Sequence, residues 1–199
     1  ANDGQATASA FVNVGFLDDI ELTVPIEINA EEDGGVINSA AGVRVPLQIA
    51  IAITDDDGSE TEATGSPFSA EVTIDFTDLP AGATLTTGVL TGTVWTGSVA
   101  DARALAIDFP GNYAGIVLAN ITVTTLEGSR SAPQAIVVTP TPDVNITGTI
   151  TATETDVPVT VLLSDFISLT ITDPSEVLRT LSFDLPGLPA GTLALDASG

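Results

Sequence analysis

The sequence predicts an all-β fold, an antiparallel β-sandwich that occurs in tandem copies along the chain. Three observations predict it: Val, Ile and Thr dominate, apolar and polar residues alternate in short runs, and turn sequences separate the runs. Many short strands at regular spacing, each buried on one face, are typical of β-sandwiches. One short segment, residues 98–105, has helical character instead.

The alternation is clearest in residues 71–77, where Val72, Ile74 and Phe76 fall on one face of a strand and the polar residues fall on the other. Three further runs alternate in the same way, at residues 48–54, 120–124 and 181–185. Turns are predicted between the runs where Gly stands beside Asp, Glu or Pro, at residues 57–58, 80–82, 110–112, 127–128 and 186–187.

The chain is strongly acidic, with 27 Asp and Glu residues, four Arg and a formal charge of −23. Self-repulsion at this charge opposes compaction, yet 44% of the residues are hydrophobic and can form a core. Bound cations or a high-salt environment would neutralise the surface. We expect neither nucleic acid nor an anionic membrane as a partner, because the charge has the wrong sign. No apolar run approaches the roughly 18 residues of a membrane span.

Residues that carry chemistry are scarce. The chain has no His, Lys, Cys or Met, which removes most general bases, most partners of nucleophiles and the soft metal ligands. We therefore expect no enzymatic activity. The first residues have neither the charged nor the apolar region of a signal peptide, and we interpret the chain as an interior piece of a longer protein.

Self-comparison predicts an internal repeat. Residues 3–14 match residues 127–138 at an offset of 124, and Asp19 falls on Asp143 at the same offset. Three later matches keep the same order while the offset decreases to 109, at residues 31–33, 60 and 79–82. A shrinking offset with constant order indicates that the second copy has shorter loops.

The repeat divides the chain into three predicted parts. Residues 1–14 are the last strand of a preceding repeat, residues 15–139 are one complete β-sandwich repeat, and residues 140–199 are the first part of a following repeat. The second copy lacks the counterpart of roughly residues 92–125, so its core face and sheet edges would be exposed. Either the boundaries of the fragment are arbitrary or another chain supplies strands.

Acidic residues cluster at matching places in the two copies: at the linker between units, where the unit opens, and at the end of a strand. Hard carboxylate oxygens beside a sharp Gly turn are what Ca²⁺ needs, although Asp-Gly is also an ordinary turn signal. We predict that Ca²⁺ is the cofactor, with its ligands among the acidic residues Asp18, Asp19, Glu32, Asp33, Asp55, Asp57, Glu60, Asp143, Glu154, Asp156, Asp173 and Glu176.

Two weaker signals have plain structural interpretations. Trp95 and Tyr113 could form a platform on which a sugar stacks, but a single Trp in a sandwich is more often part of the core. Asn120 and Asn145 begin glycosylation sequons, which we interpret as Thr-rich strand sequence.

Four motifs follow one another in the complete unit: Asp-x-Asp-Gly-Ser-Glu, Leu-Pro-Ala-Gly-Ala-Thr-Leu, Trp-Thr and Phe-Pro-x-Asn-Tyr-x-Gly, at residues 55–60, 79–85, 95–96 and 109–115. In this order they resemble the repeat of giant type I-secreted (RTX-type) adhesins of Gram-negative bacteria. Asp19 and Asp143 also resemble the linker acids of cadherin-like domains. The second copy departs from the pattern, because Asp-Pro-Ser-Glu replaces its fuller acidic loop.

The resemblance implies Ig-like or cadherin-like sandwiches in tandem, Ca²⁺ at the linkers, an extracellular location on the bacterial cell surface, and a role in adhesion and biofilm formation. We therefore predict a structural extender segment, whose partners are the neighbouring repeats of the same chain. Two alternatives stay open. One is a filament or surface-layer subunit assembled by strand exchange with other copies, and the other is a ligand-binding adhesin module.

Overall fold

The computed structural model describes residues 19–54, 61–66, 69–149, 162–173 and 180. The chain divides into two compact units, Ala1–Pro142 and Asp143–Gly199. The predicted repeat boundary after residue 139 lies just before this division. Among the described residues, no helix is long and apolar enough to cross a membrane.

The described part of the first unit is built from eleven strands, one short α-helix and one 3-10 turn (Glu32–Gly35). In chain order the strands and the α-helix are β1 (Ile20–Thr23), β2 (Glu27–Glu31), β3 (Val43–Pro46), β4 (Ala50–Ile53), β5 (Glu71–Thr77), β6 (Thr84–Leu85), β7 (Val89–Thr91), β8 (Val94–Gly97), α1 (Val99–Arg103), β9 (Ala106–Phe109), β10 (Gly115–Thr124) and β11 (Ser129–Thr139). The second unit contributes β12 (Val144–Gly148) and β13 (Ile167–Ile171) to the described residues.

The strands of the first unit form two layers around one core. One layer is a six-stranded sheet in the order β2-β11-β10-β5-β8-β7, and the other contains the sheet β3-β9-β6 and the pair β1-β4. All pairs are antiparallel except β2 with β11. Buried side chains from both layers form one apolar cluster. The predicted all-β sandwich is therefore confirmed.

Side chains along a strand point alternately to its two faces, and this alternation determines which residues reach the core. In β5, Val72, Ile74 and Phe76 are all buried, as the sequence predicts. The predicted strand at residues 48–54 begins only at Ala50, because Gln48 has a φ of 53° and interrupts the ladder.

The chain changes layers between β1 and β2. β1 pairs with β4, and β2 then pairs in parallel with β11 in the other sheet. Gln134 secures this crossing, because its buried amide donates hydrogen bonds to the carbonyls of Pro25 (3.1 Å) and Leu47 (2.9 Å). Pairing the buried carbonyl of Leu47 and the partly buried carbonyl of Pro25 avoids the cost of leaving them without donors.

The helical character predicted for residues 98–105 is confirmed in α1, which is brief. Ser98 caps it: its hydroxyl accepts a hydrogen bond from the Asp101 N–H (3.1 Å), and the Asp101 carboxylate accepts one from the Ser98 N–H (3.1 Å). The hydrogen bonds from Ser98 lower the pKa of Asp101. This capping box starts the helix where β8 ends.

Candidate cation site

The turn after β2 buries two carboxylates. Asp33, Gly34 and Gly35 all have positive φ values, of 50°, 68° and 76°. Glycine adopts this conformation without steric cost, and Asp tolerates it better than most residues do. The tight turn places Glu32 and Asp33 in the interior, with exposed fractions of 2% and 5%.

Asp33 holds two loops together with one of its oxygens. Oδ1 accepts hydrogen bonds from the N–H groups of Gly42 (2.8 Å) and Asn112 (3.4 Å). Oδ2 is buried and has no hydrogen-bond partner. A buried carboxylate is costly unless its charge is compensated. Two backbone N–H groups compensate the negative charge at Oδ1. A bound cation would therefore be most stabilising if it contacted Oδ2.

Asn112 supplies a second buried oxygen beside Asp33. Its φ is 59°, and its side-chain Oδ1 is buried without a hydrogen-bond donor. An amide oxygen is a hard ligand of the type Ca²⁺ prefers. From the sequence, Asn112 was predicted only as part of a turn and not as a candidate ligand. An Asn in the turn sequence Pro-Gly-Asn is the one signal that could have indicated it.

Glu32 connects the same turn to the segment that follows β11. Its Oε2 accepts a hydrogen bond from the N–H of Thr141 (3.1 Å), and its backbone carbonyl accepts one from the Thr141 hydroxyl (3.0 Å). Thr141 is itself buried. We call Glu32–Gly35 the acidic turn. The chain leaving the last strand of the unit is therefore anchored to the acidic turn.

This oxygen-rich turn fits a hard divalent cation better than a soft one. Ca²⁺ takes roughly 6–8 oxygen ligands, including carboxylates, amide carbonyls and water. Asp33 and Asn112 would hold it, and Glu31, whose carboxylate lies against Gly35, faces the same turn. No group of three or more Asp, Glu, His or Cys side chains suited to a metal converges within the described ranges. Ca²⁺ here would therefore depend on amide, backbone and water oxygens as well as carboxylates.

Three further predicted ligands lie at the ends of strand pairs. In the first unit Ile20 pairs with Ile53, and the Asp19 carbonyl accepts hydrogen bonds from the N–H and hydroxyl of Thr54 (3.0 and 3.4 Å). Asp19 is half-buried.

The second unit repeats this arrangement. Val144 pairs with Ile171, and the Asp143 carbonyl accepts hydrogen bonds from the N–H and hydroxyl of Thr172 (3.1 and 3.3 Å). Asp143 and Asp173 are both buried. The same backbone geometry thus recurs at an acidic residue in each unit.

The remaining predicted ligands lie outside the described residues, namely Asp18, Asp55, Asp57, Glu60, Glu154, Asp156 and Glu176. The described residues on either side of positions 55–60 are linked to each other through Arg103. Arg103 donates two hydrogen bonds to the carboxylate of Glu62 (2.8 and 2.6 Å) and another to the carbonyl of Ile51. The hydrogen bonds from Arg103 lower the pKa of Glu62. Arg103 therefore connects β4 to Glu62.

Of the two aromatic residues considered as a sugar platform, Trp95 belongs to the interior, and Tyr113 is partly buried and packs against the core. Trp95 is fully buried, and its indole N–H donates to the Thr87 carbonyl (2.5 Å). The Tyr113 ring stacks on Phe109, with 5.0 Å between ring centroids. The interpretation of Trp95 as a core residue is confirmed.

No protein-family model and no curated protein sequence matches the chain. A β-sandwich supports many unrelated functions, so the fold alone assigns none. The features that bear on function are the acidic turn, the geometry common to the two units and the motifs of the sequence.

Proposed function

We propose that the chain is a structural extender segment of a large bacterial cell-surface adhesin, stiffened by Ca²⁺ and supporting adhesion and biofilm formation. The observation that carries this proposal is the buried Asp33, whose Oδ2 has no hydrogen-bond partner and whose neighbour Asn112 presents a second buried oxygen. A cation bound between hard oxygens would compensate the buried charge. It would also bind more tightly to the folded unit than to the unfolded chain.

Stiffening of the segment that leaves the unit would follow from its hydrogen bonds to the acidic turn. Glu32 anchors Thr141, which lies between Pro140 and Pro142 in the segment leaving the unit. Proline-containing segments are already extended and restricted. A cation that fixes the turn also fixes the attached segment, and a spacer needs a joint that does not bend freely.

The geometry common to Asp19 with Thr54 and to Asp143 with Thr172 supports a tandem repeat. Two units that place an acidic residue at the same end of the same strand pair are what a chain of copied spacers would contain. Extracellular modules bind Ca²⁺ with a Kd of about 10⁻⁴–10⁻³ M, which suits the outside of a cell.

Calcium is expected to stabilise the native protein, and replacing Asp33 by Asn should abolish that effect. With about 10 mM Ca²⁺ and a Kd of about 10⁻⁴–10⁻³ M, mass action gives about 1.4–2.7 kcal/mol. For a unit of this size that is a rise in Tm of about 3–10 °C. Thermal unfolding in Ca²⁺ and in chelator measures it. In chelator, Asp33→Asn should be neutral or stabilising, because it removes an uncompensated buried charge.

Asp78→Asn is the matched control, since Asp78 is an exposed carboxylate in the same unit and also has a positive φ. It should keep the full response to Ca²⁺. A Ca²⁺ response that survives Asp33→Asn would contradict the site, and destabilisation by Asp33→Asn in chelator would show that the carboxylate is a structural link without a cation.

The extender role has its own test. Small-angle scattering should give a larger and better-defined maximum dimension in Ca²⁺ than in chelator. Hydrogen exchange of the Thr141 amide should slow when Ca²⁺ is added, since this N–H donates to Glu32. If the maximum dimension and the exchange rate of the Thr141 amide are the same in both buffers, the stiffening proposal is contradicted even if Ca²⁺ binds.

A filament subunit assembled by strand exchange is the second candidate. The cross-strand pair Ile146 and Leu169 of the second unit is 51% and 37% exposed, whereas Ile51 in the equivalent pair of the first unit is 4% exposed. A strand from another copy could cover that face. Light scattering distinguishes the candidates, because a protein that stays monomeric at all concentrations counts against strand exchange.

A further inference from the structure

The outer face of the six-stranded sheet carries a continuous apolar area, which we call the outer patch. On this face Ile116 pairs with Val137, and Leu118 pairs with Ala135. Ile116 is 55% exposed and Leu118 is 49% exposed. The patch consists of Ile26, Ile116, Leu118, Pro133, Ala135 and Val137. Exposed apolar areas on soluble proteins often mark interaction surfaces when they are continuous.

The patch contains a shallow depression of about 310 Å³ between β5, β10 and β11. Its lining includes the apolar residues Ile26, Leu118 and Pro133 and the polar residues Asp75 and Asn120. The Asp75 carboxylate accepts a hydrogen bond from the Thr93 hydroxyl (2.9 Å), which fixes its position. Apolar walls beside a fixed polar group are typical of a recognition site.

Among the described strands of this sheet, the charged residues at outer-face positions are acidic, whereas the one basic residue, Arg130 of β11, is exposed and lies opposite the buried Val123, in step with the core-facing residues. Glu27 and Glu31 lie on the β2 side of the patch, and Glu71 and Asp75 lie on the β5 side. The patch is therefore an apolar centre between two acidic flanks. Complementary charge favours a partner with the opposite arrangement, and like charges placed face to face are costly. A second copy would bring the same carboxylates against these flanks.

We propose that the outer patch docks a protein segment that has apolar side chains at its centre and Lys or Arg on both sides. An apolar side chain of the partner enters the depression, and a neighbouring cation pairs with Asp75. The six residues of the outer patch and Asp75 lie outside the acidic turn, and Glu31 is the one flanking residue that also faces that turn. Docking at the patch gives the segment a binding function in addition to that of a spacer.

Two labelled peptides of about twelve residues test the proposal by fluorescence anisotropy. Both carry three Lys at each end, one has Leu and Val at its centre, and the other has Ser there. The apolar peptide is expected to bind about ten-fold or more tightly than the Ser peptide at about 0.15 M NaCl, because it buries apolar area as well as pairing charges.

The double variant Ile116→Thr/Leu118→Thr should reduce that preference to about two-fold or less, because it removes most of the apolar area at unchanged charge. Thr suits exposed strand positions, and an unchanged Tm checks the fold. The matched control is Val36→Thr/Ile37→Thr, which alters two exposed apolar residues of a loop and should keep the preference. Asp75→Asn should weaken binding of the apolar peptide, whereas Asp78→Asn should not.

Three outcomes would overturn the proposal. Equal affinity of the wild type for both peptides would show attraction by net charge alone. An unchanged preference in the double variant would place binding elsewhere. A dimer in light scattering that the double variant abolishes would assign the patch to a second copy of the chain.

Discussion

Replacing Trp95 by Ala is expected to lower the free energy of unfolding of the first unit by about 3–5 kcal/mol. Trp95 is the largest fully buried side chain, and its indole N–H donates to the Thr87 carbonyl. The truncation leaves a cavity between the sheets and removes the donor of a partly buried carbonyl, and each effect is destabilising. Since native domains are stable by about 5–15 kcal/mol, the variant should approach unfolding at room temperature.

Urea denaturation measures this loss. The only tryptophan and the only tyrosine of the chain lie in the first unit, so Trp fluorescence reports that unit in the wild type and Tyr113 fluorescence reports it in the variant. Leu126→Ala is the control, because Leu126 is an exposed apolar residue in a turn and should change stability by less than about 0.5 kcal/mol. Equal losses in the two variants would contradict the position of Trp95 in the core.

Replacing Gly42 by Ala is expected to destabilise the first unit by about 2–5 kcal/mol. The φ of Gly42 is +74°, which costs an alanine about 1–2 kcal/mol. A Cβ there would also collide with the backbone carbonyl of Phe109, which cannot move aside as a flexible side chain could. Because the Gly42 N–H donates to Asp33, the rise of Tm in Ca²⁺ should decrease in the same variant.

Gly34→Ala separates the two contributions. Gly34 has a similar φ of +68°, but an added Cβ would meet nothing within 4 Å. This variant should lose only the conformational part, about 1–2 kcal/mol. Thermal and urea unfolding of the two variants in chelator give the comparison. Equal losses would show that the close approach of Gly42 to Phe109 does not exist in solution.

Local pattern was enough to predict much of the sandwich. The alternation in β5 and β10, the turn at Pro80 and the short helix after Ser98 were all correct. Each of these features depends on residues within a few positions of one another. Gln48 shows the limit of this reasoning, because its positive φ interrupts a strand whose apolar alternation continues without a break.

The parts that sequence could not predict join distant positions. Asn112 lies 79 residues from Asp33, Gln134 lies 87 residues from Leu47, and Arg103 lies 52 residues from Ile51. No period of two or 3.6 residues encodes such pairs. Glu32 and Asp33 were found because acidic residues recur at matching places in the two copies, whereas Asn112 carried no comparable signal of metal binding.

The crossing of the chain between layers has a mechanical consequence. It places β2, near the start of the described unit, parallel to β11 at its end, with Glu27 opposite Ala135 and Glu31 opposite Thr139. A tension applied to the two ends of the unit would pull these neighbouring strands in opposite directions along their common axis. Their hydrogen bonds would then be sheared together instead of being peeled apart one after another. A segment that transmits tension between a cell and a surface would benefit from that arrangement.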